Sequence, residues 1–306
     1  MEHCWFAFGY FLAKEETFFY KLCHQKCWLM LQETHGGKGS MQAMYRRGTH
    51  WIWDSPGPSS ATGGLVTMVP RYVARESDFH FEVLIPGRVT RLSLCLHGST
   101  IVMWNVHYHE FSGSDMNIFD RKISDDLEQA KLHPLTFSAF VVGDFNFSNK
   151  LVPPIKVHNS SGSRDMTDVA TKLPAATDAS TRAMDASMSG YMELLQGSPT
   201  HYWARSGTTN TIDRVFTSLH SSVVSRLYLN LHTQGDPFKL FQSRISDHVP
   251  VTLTISNKTP KLKPQLPVPP WVCRHPLYRE RVQHWLRRDP FDHLSAPAHY
   301  AKHTRI

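Results

Sequence analysis

The chain has 306 residues, 41% of them apolar and 19% charged. It is long enough for one large domain or two small ones and too apolar to be disordered throughout. No run of about 18 apolar residues occurs, which excludes a membrane-spanning helix, and the irregular spacing of Cys4, Cys23, Cys27, Cys95 and Cys273 argues against a disulfide framework and for reduced thiols in an intracellular compartment. The net charge of +7 is unevenly placed: residues 257–306 hold ten Lys or Arg against Glu280, Asp289 and Asp292, whereas the first 256 residues carry 23 charges of each sign. Such a tail fits either a polyanionic partner such as nucleic acid or a solvated linker.

In chain order, the apolar segment Cys4 to Ala13 reads as a buried strand, since no basic residue precedes it as in a signal peptide. Trp28–Leu31 and Leu65–Val69 are short runs suited to buried strands, the second ended by Pro70. Arg91–Leu96 and Thr100–Val106 predict the arms of a hairpin around His97-Gly98-Ser99. Ile118, Ile123, Leu127, Ala130 and Leu132, with charges between them, predict a helix. Phe137–Val142 is a further strand, stopped at Gly143-Asp144, and residues 150–190 read as loop. Tyr191, Leu194 and Leu195 predict a second helix closed near Gly197-Ser198-Pro199. Thr211–Phe216 and Val249–Ile255 are late strands. Strands with helices between them predict packed sheets covered by helices. Beyond residue 256, the Pro/Lys-rich stretch Lys258–Pro270 is an extended linker, and a short helix is expected over Leu277–Arg287.

Polar residues recur where the apolar runs end: Gln32-Glu33-Thr34, Asn105-Val106-His107, Gly143-Asp144-Phe145-Asn146, Ile212-Asp213-Arg214 and Ser246-Asp247-His248. Strand ends at one edge of a sandwich can converge on a cleft with the sheets as a rigid mount. The carboxylates Glu33, Asp144, Asp213 and Asp247 suit a hard cation such as magnesium. His107 and His248 can move protons near neutrality, and Asn105 and Asn146 can bond a phosphate oxygen without adding negative charge. Acids, amides and imidazoles together suit phosphodiester hydrolysis. Taken singly each has a plainer reading: Asp144 and Asp247 as turn or capping residues, Asp213 as the partner of Arg214. The pair His107-x-His109 could also bind zinc.

The order of these segments, with Gly63-Gly64, resembles the endonuclease/exonuclease/phosphatase family over about residues 18–256. That family includes pancreatic deoxyribonuclease I, apurinic/apyrimidinic endonucleases and the endonuclease domains of non-LTR retrotransposons. Thr200-His-Tyr-Trp203 is similar to a Thr-x-x-Trp element of the retrotransposon branch. Leu266-Pro-Val-Pro-Pro-Trp271 and His275-Pro276-Leu277 resemble the linker that joins endonuclease to reverse transcriptase in such elements; no Tyr-x-Asp-Asp is present, and the reverse transcriptase is expected to be missing from this chain. The resemblance implies an α/β (α+β) four-layer α/β/β/α sandwich of two packed mixed sheets over residues 1–256, with 257–306 as an irregular, basic, Pro-rich tail. It implies a magnesium-dependent phosphodiesterase, with manganese a possible substitute, acting on DNA, and from that substrate a nuclear location. By position, Glu33 would be the principal metal ligand and Asp247 would touch the metal or its water. His248 would be the general base, oriented by Asp213. Asp144 and Asn146 would position the attacking water and a phosphate oxygen, His107 would contact phosphate or protonate the leaving oxygen, and Asn105 would bind substrate.

One element departs from the pattern. The family has a metal-binding asparagine on its first strand, and here the first asparagine of the chain is Asn105. The sequence therefore leaves three readings open: an active endonuclease, a phosphatase or phospholipid diesterase of the same fold, and a non-catalytic nucleic-acid-binding remnant. For the last, Trp51 and Trp53 near Arg46 and Arg47 are candidates for base stacking, or for packing at a sheet edge.

Overall fold

The computed structural model describes residues 4–10, 27–35, 48–59, 62–109, 111–147, 155–156, 179–224 and 227–256, with the single helical positions Pro276, Glu280 and Gln283. The chain divides into a unit Met1–Thr259 and a unit Pro260–Ile306. Apart from those three positions, the linker and the helix expected in the second unit lie outside the described residues, as do Arg46 and Arg47.

Fifteen strands occur among the described residues of the first unit: β1 Cys4–Tyr10, β2 Trp28–Gln32, β3 His50–Ser55, β4 Leu65–Pro70, β5 Phe79–Ile85, β6 Val89–Leu96, β7 Ser99–His107, β8 Phe137–Asp144, β9 Ile155–Lys156, β10 Met192–Leu194, β11 His201–Trp203, β12 Thr208–Asn210, β13 Asp213–Thr217, β14 Tyr228–Thr233 and β15 Val251–Ser256. The helices are α1 Gly113–Leu132, α2 Ala179–Met188, α3 Ser221–Val224 and α4 Pro237–Gln242. One six-stranded sheet runs β14-β15-β1-β2-β4-β3 and a second runs β10-β13-β8-β7-β6-β5. Each is mixed, with one parallel pair, β1 with β2 and β7 with β8. A three-stranded sheet, β11-β12-β9, accompanies them.

The two large sheets face each other across Trp28, Met30, Val69, Val251 and Leu253 from the first and Leu92, Leu94, Met103, Phe140, Val142 and Val215 from the second. Period-2 alternation explains the arrangement. Trp104, Val106, Ala139 and Val141 point to the other side of the second sheet, where they pack on Met116, Phe119 and Ile123 of α1 and Met184 and Met188 of α2. The i, i+3, i+7 spacing of the three α1 residues turns one stripe inward. Ser112 caps α1, its hydroxyl accepting from Asp115 N while Asp115 accepts from Ser112 N. On the outer face of the first sheet Leu29, Leu31, Val66 and Met68 are buried as well. The expected α/β sandwich of packed mixed sheets is thus present.

Helix α1 is fastened by charge as well as by packing. Arg91 of β6 donates two bonds to Asp126, of 2.9 and 2.8 Å, and a third to Glu82 at 2.7 Å, while Trp104 Nε1 donates to Asp126 at 2.9 Å.

Two expectations are corrected. Tyr191, Leu194 and Leu195 do not form a helix: Met192–Leu194 is an edge strand paired with β13, Tyr191 sits in the core with its hydroxyl on Ile123 O, and Leu195 is exposed. The helix lies earlier, at Ala179–Met188, inside the stretch read as loop; its interior residues are mostly small and polar, so Met184 and Met188 alone gave too thin a periodic signal. Trp51 and Trp53 take the plainer role. Trp51 donates to Ala74 O and lies under Arg71, and Trp53 packs on Phe79 and Phe81.

Candidate active site

The parallel pairing of β7 and β8 brings their C-terminal ends together, in register His107 with Asp144. The antiparallel β13 starts where β8 ends, so Asp213 pairs with Asp144. Gly143 permits the close approach: with φ 149°, any Cβ there would lie 1.8 Å from Val106 O. Glu33 follows the end of β2, and its loop is held to Gly63-Gly64 by Thr34 N on Gly64 O and His35 N on Gly63 O. Glu33 and Asn146 both adopt left-handed backbone, φ 51° and 54°, a conformation seldom found away from turns and functional sites.

His248 enters just before β15. Its Nδ1 lies 2.9 Å from Asp213 Oδ2, and its Nε2 lies 4.0 Å from Asp144 Oδ2. Burial alone would push this imidazole down, but the carboxylates of Asp213, Asp144 and Asp247 outweigh it and hold it up at about 10. Asp144 is pushed up to about 7 by burial, opposed by His248 and assisted by the negative charges of Asp213 and Glu33. Its Oδ1 accepts from Asn146 N at 2.7 Å, and Asn146 Nδ2 donates to Tyr108 O. Asp213 is anchored from behind: Thr200 Oγ1 accepts from both Ile212 N and Asp213 N. The same threonine accepts at its carbonyl from Val249 N, next to His248.

His107 is fully buried. Arg88 donates from Nη1 to its Nδ1 at 2.9 Å; a guanidinium can only donate, so the ring proton sits on Nε2. That nitrogen lies 3.1 Å from Glu33 Oε1. Burial keeps His107 below the usual histidine range, with Glu33 opposing. Burial would raise Glu33, but His107, then His35 and His248, hold it low, so its half-buried carboxylate is ionised. His109 stacks on His107 with the planes 8° apart, but no metal-ligand cluster forms there among the described residues.

Asn105 sits deeper, donating from Nδ2 to Leu31 O and Val66 O and accepting from Gln32 Nε2. It ties β7 to the facing sheet. Arg214 pairs not with Asp213 but with Glu193 of β10, in two bonds of 2.8 and 2.9 Å. Asp247 is partly exposed, 3.6 Å from His201 Nε2; burial would raise it, but His201 and His248 hold it low.

Sequence reasoning missed Arg88, His201 and the anchoring by Thr200. The Thr-x-x-Trp element marked the last two without revealing what they touch; nothing local marked Arg88.

No family model matches the sequence, and no curated protein matches it. The fold does have solved counterparts. An AP endonuclease from Leishmania major is 13% identical with a TM-score of 0.56, covering 83% of this chain and 88% of its own. An AP endonuclease from Archaeoglobus fulgidus is 15% identical at 0.55, covering 82% and 98%. A 3′ phosphatase from Neisseria, bound to product DNA hairpin, is 14% identical at 0.51, also covering 82% and 98%. This chain has the deoxyribonuclease I-like fold.

The residues also fit a hard cation. Burial raises Asp144, and the negative charges of Asp213 and Glu33 add to it; a divalent ion would offset those charges, and Glu33 is an ionised, accessible oxygen donor.

Proposed function

We propose that the chain is a metal-dependent phosphodiester hydrolase that nicks DNA, the endonuclease of a non-LTR retrotransposon. The observation that carries the hydrolase reading is the His248–Asp213 pair facing Asp144, with Glu33 and His107 at the same strand ends. The basic tail and the likeness in fold to a Neisseria 3′ phosphatase bound to product DNA favour DNA. The retrotransposon assignment rests on Thr200-His-Tyr-Trp203 and the linker-like tail motifs, and a nuclear location follows from the substrate.

In this reading, Glu33 and Asp247 would hold a magnesium ion, with manganese a substitute. The ion would neutralise the phosphate and the carboxylates that keep His248 protonated in its absence. His248 Nε2 takes the proton from a water while Asp213 fixes the ring through Nδ1. Asp144 and Asn146 position that water, its oxygen bonds to phosphorus, and the bond to the leaving oxygen breaks. His107 presents its Nε2 proton to a phosphate or leaving oxygen, and Asn105 supports this floor from below.

The test is nicking of supercoiled plasmid by the purified chain, with and without magnesium, beside His248→Ala. Magnesium-dependent nicking absent from the variant is expected. No nicking from a folded protein would sink the active-nuclease reading and favour a remnant. That second reading has its own observation: β1 lies between β15 and β2, with Tyr10 opposite Gln32, and offers no amide or carboxylate. Release of phosphate from a 3′-phosphorylated end without nicking would favour a phosphatase.

A further inference from the structure

Beside the proposed base lies a histidine, His201, that the hydrolytic reading does not use. His201 opens β11 and bridges to His248 across an isolated β-bridge. The two imidazole centroids are 4.5 Å apart, and Asp247 Oδ2 is 3.6 Å from His201 Nε2. Ligand atoms of His201, Asp247 and His248 all fall within 4.8 Å of one another. Nothing in the strand-end chemistry requires an imidazole at position 201.

We propose that His201, Asp247 and His248 form a binding site for a transition-metal ion of the zinc or cobalt class, which shares Asp247 with the hard-cation position at Glu33 but differs from it in its two imidazole donors. Three arguments support it. Two nitrogens and one oxygen are the donor set that zinc, cobalt and nickel prefer, whereas magnesium prefers oxygens. Ligand atoms sharing a tetrahedral zinc stand about 3.3 Å apart, given bonds of about 2.0–2.1 Å, and the His201–Asp247 separation of 3.6 Å is already close to that. His248 also has the outer partner that metal-bound histidines have: Asp213 lies 2.9 Å from its Nδ1. An ion bound here occupies the lone pair of His248 Nε2. Resting on the hydrolytic reading, zinc therefore inhibits magnesium-supported cleavage.

Binding is tested apart from activity. In a Glu33→Gln background, which removes the principal hard-cation ligand, the full chain is titrated with Co2+ alone and followed by its visible absorption. A stoichiometric band of nitrogen-bound cobalt is expected. His201→Phe, which keeps an aromatic ring against His248, and His201→Gln should each weaken binding roughly tenfold or more, as loss of a ligand does; circular dichroism identifies any variant that fails to fold, and the other then decides. An absent band, or the same titration in a folded His201 variant, overturns the site. Because the readout is spectroscopic, failure of the nuclease reading leaves this result interpretable, and the reverse holds too.

Discussion

Nδ1 of His248 lies 2.9 Å from Oδ2 of Asp213, and Asp213 is itself buried and tied by its backbone to Thr200 Oγ1. The carboxylate therefore cannot swing away without breaking the β13 start. Asp213→Asn should keep the fold but let the imidazole take the wrong tautomer, and single-turnover nicking should fall by about 10²–10⁴. An unchanged rate would remove Asp213 from the mechanism.

Arg88 controls His107 in the same manner from the other side. With Arg88 replaced by Met, Nδ1 of His107 loses its donor and the repulsion of a nearby cation. The His107 pKa should rise, measured by NMR titration of the ring protons, and nicking should slow because Nε2 no longer holds the proton in one tautomer. A nicking loss without a change in the titration would point instead to Arg88 touching phosphate directly.

Asp144 gives a pH signature. Its folded pKa of about 7 lies above the ordinary aspartate value of 3.8, so ionising it costs stability. That cost is absent below pH 4, grows as pH rises towards 7, and is full above it. Asp144→Asn keeps an acceptor for Asn146 N and removes the ionisation. In metal-free buffer the variant should melt above the parent at pH 8, with the difference vanishing near pH 4. A lower melting temperature at pH 8 would mean that the ion pair with His248 outweighs burial. Activity should be lost in either case.

Legibility in the sequence followed the range of the interaction. Strands β2, β4, β6, β7, β8 and β15 are apolar runs with local turn signals, and they were readable. Strands β5 and β14 carry His80, Glu82, Asn230 and His232 among their apolar residues, and β11 and β12 are three residues long, so pattern alone does not separate them from loop. At the site, the residues at strand ends could be gathered as candidates because each ends an apolar run. Their partners could not. Arg88 meets His107 from 19 residues away, and Thr200 meets Asp213 from 13, through pairings that only the folded sheets define. Asn105 shows the limit from the other side: its type and place suggested substrate, while in the fold its amide is spent on Leu31 O and Val66 O.

Position 143 joins the fold to the site most directly. β7 and β8 run parallel, and the register that sets His107 beside Asp144 also sets Gly143 against Val106. A methyl group at 143 would overlap Val106 O, which belongs to rigid backbone, and the φ of 149° disfavours any side chain. Relief requires β8 to move away from β7, and that movement carries Asp144 with it. Gly143→Ala should therefore cost about 3 kcal/mol or more in urea unfolding, and it should lose nicking even where the protein remains folded. Ser99→Ala, at the opposite end of β7, changes neither contact and serves as the control. If Gly143→Ala unfolds at the parental urea midpoint, β7 and β8 are not packed as closely as the register requires.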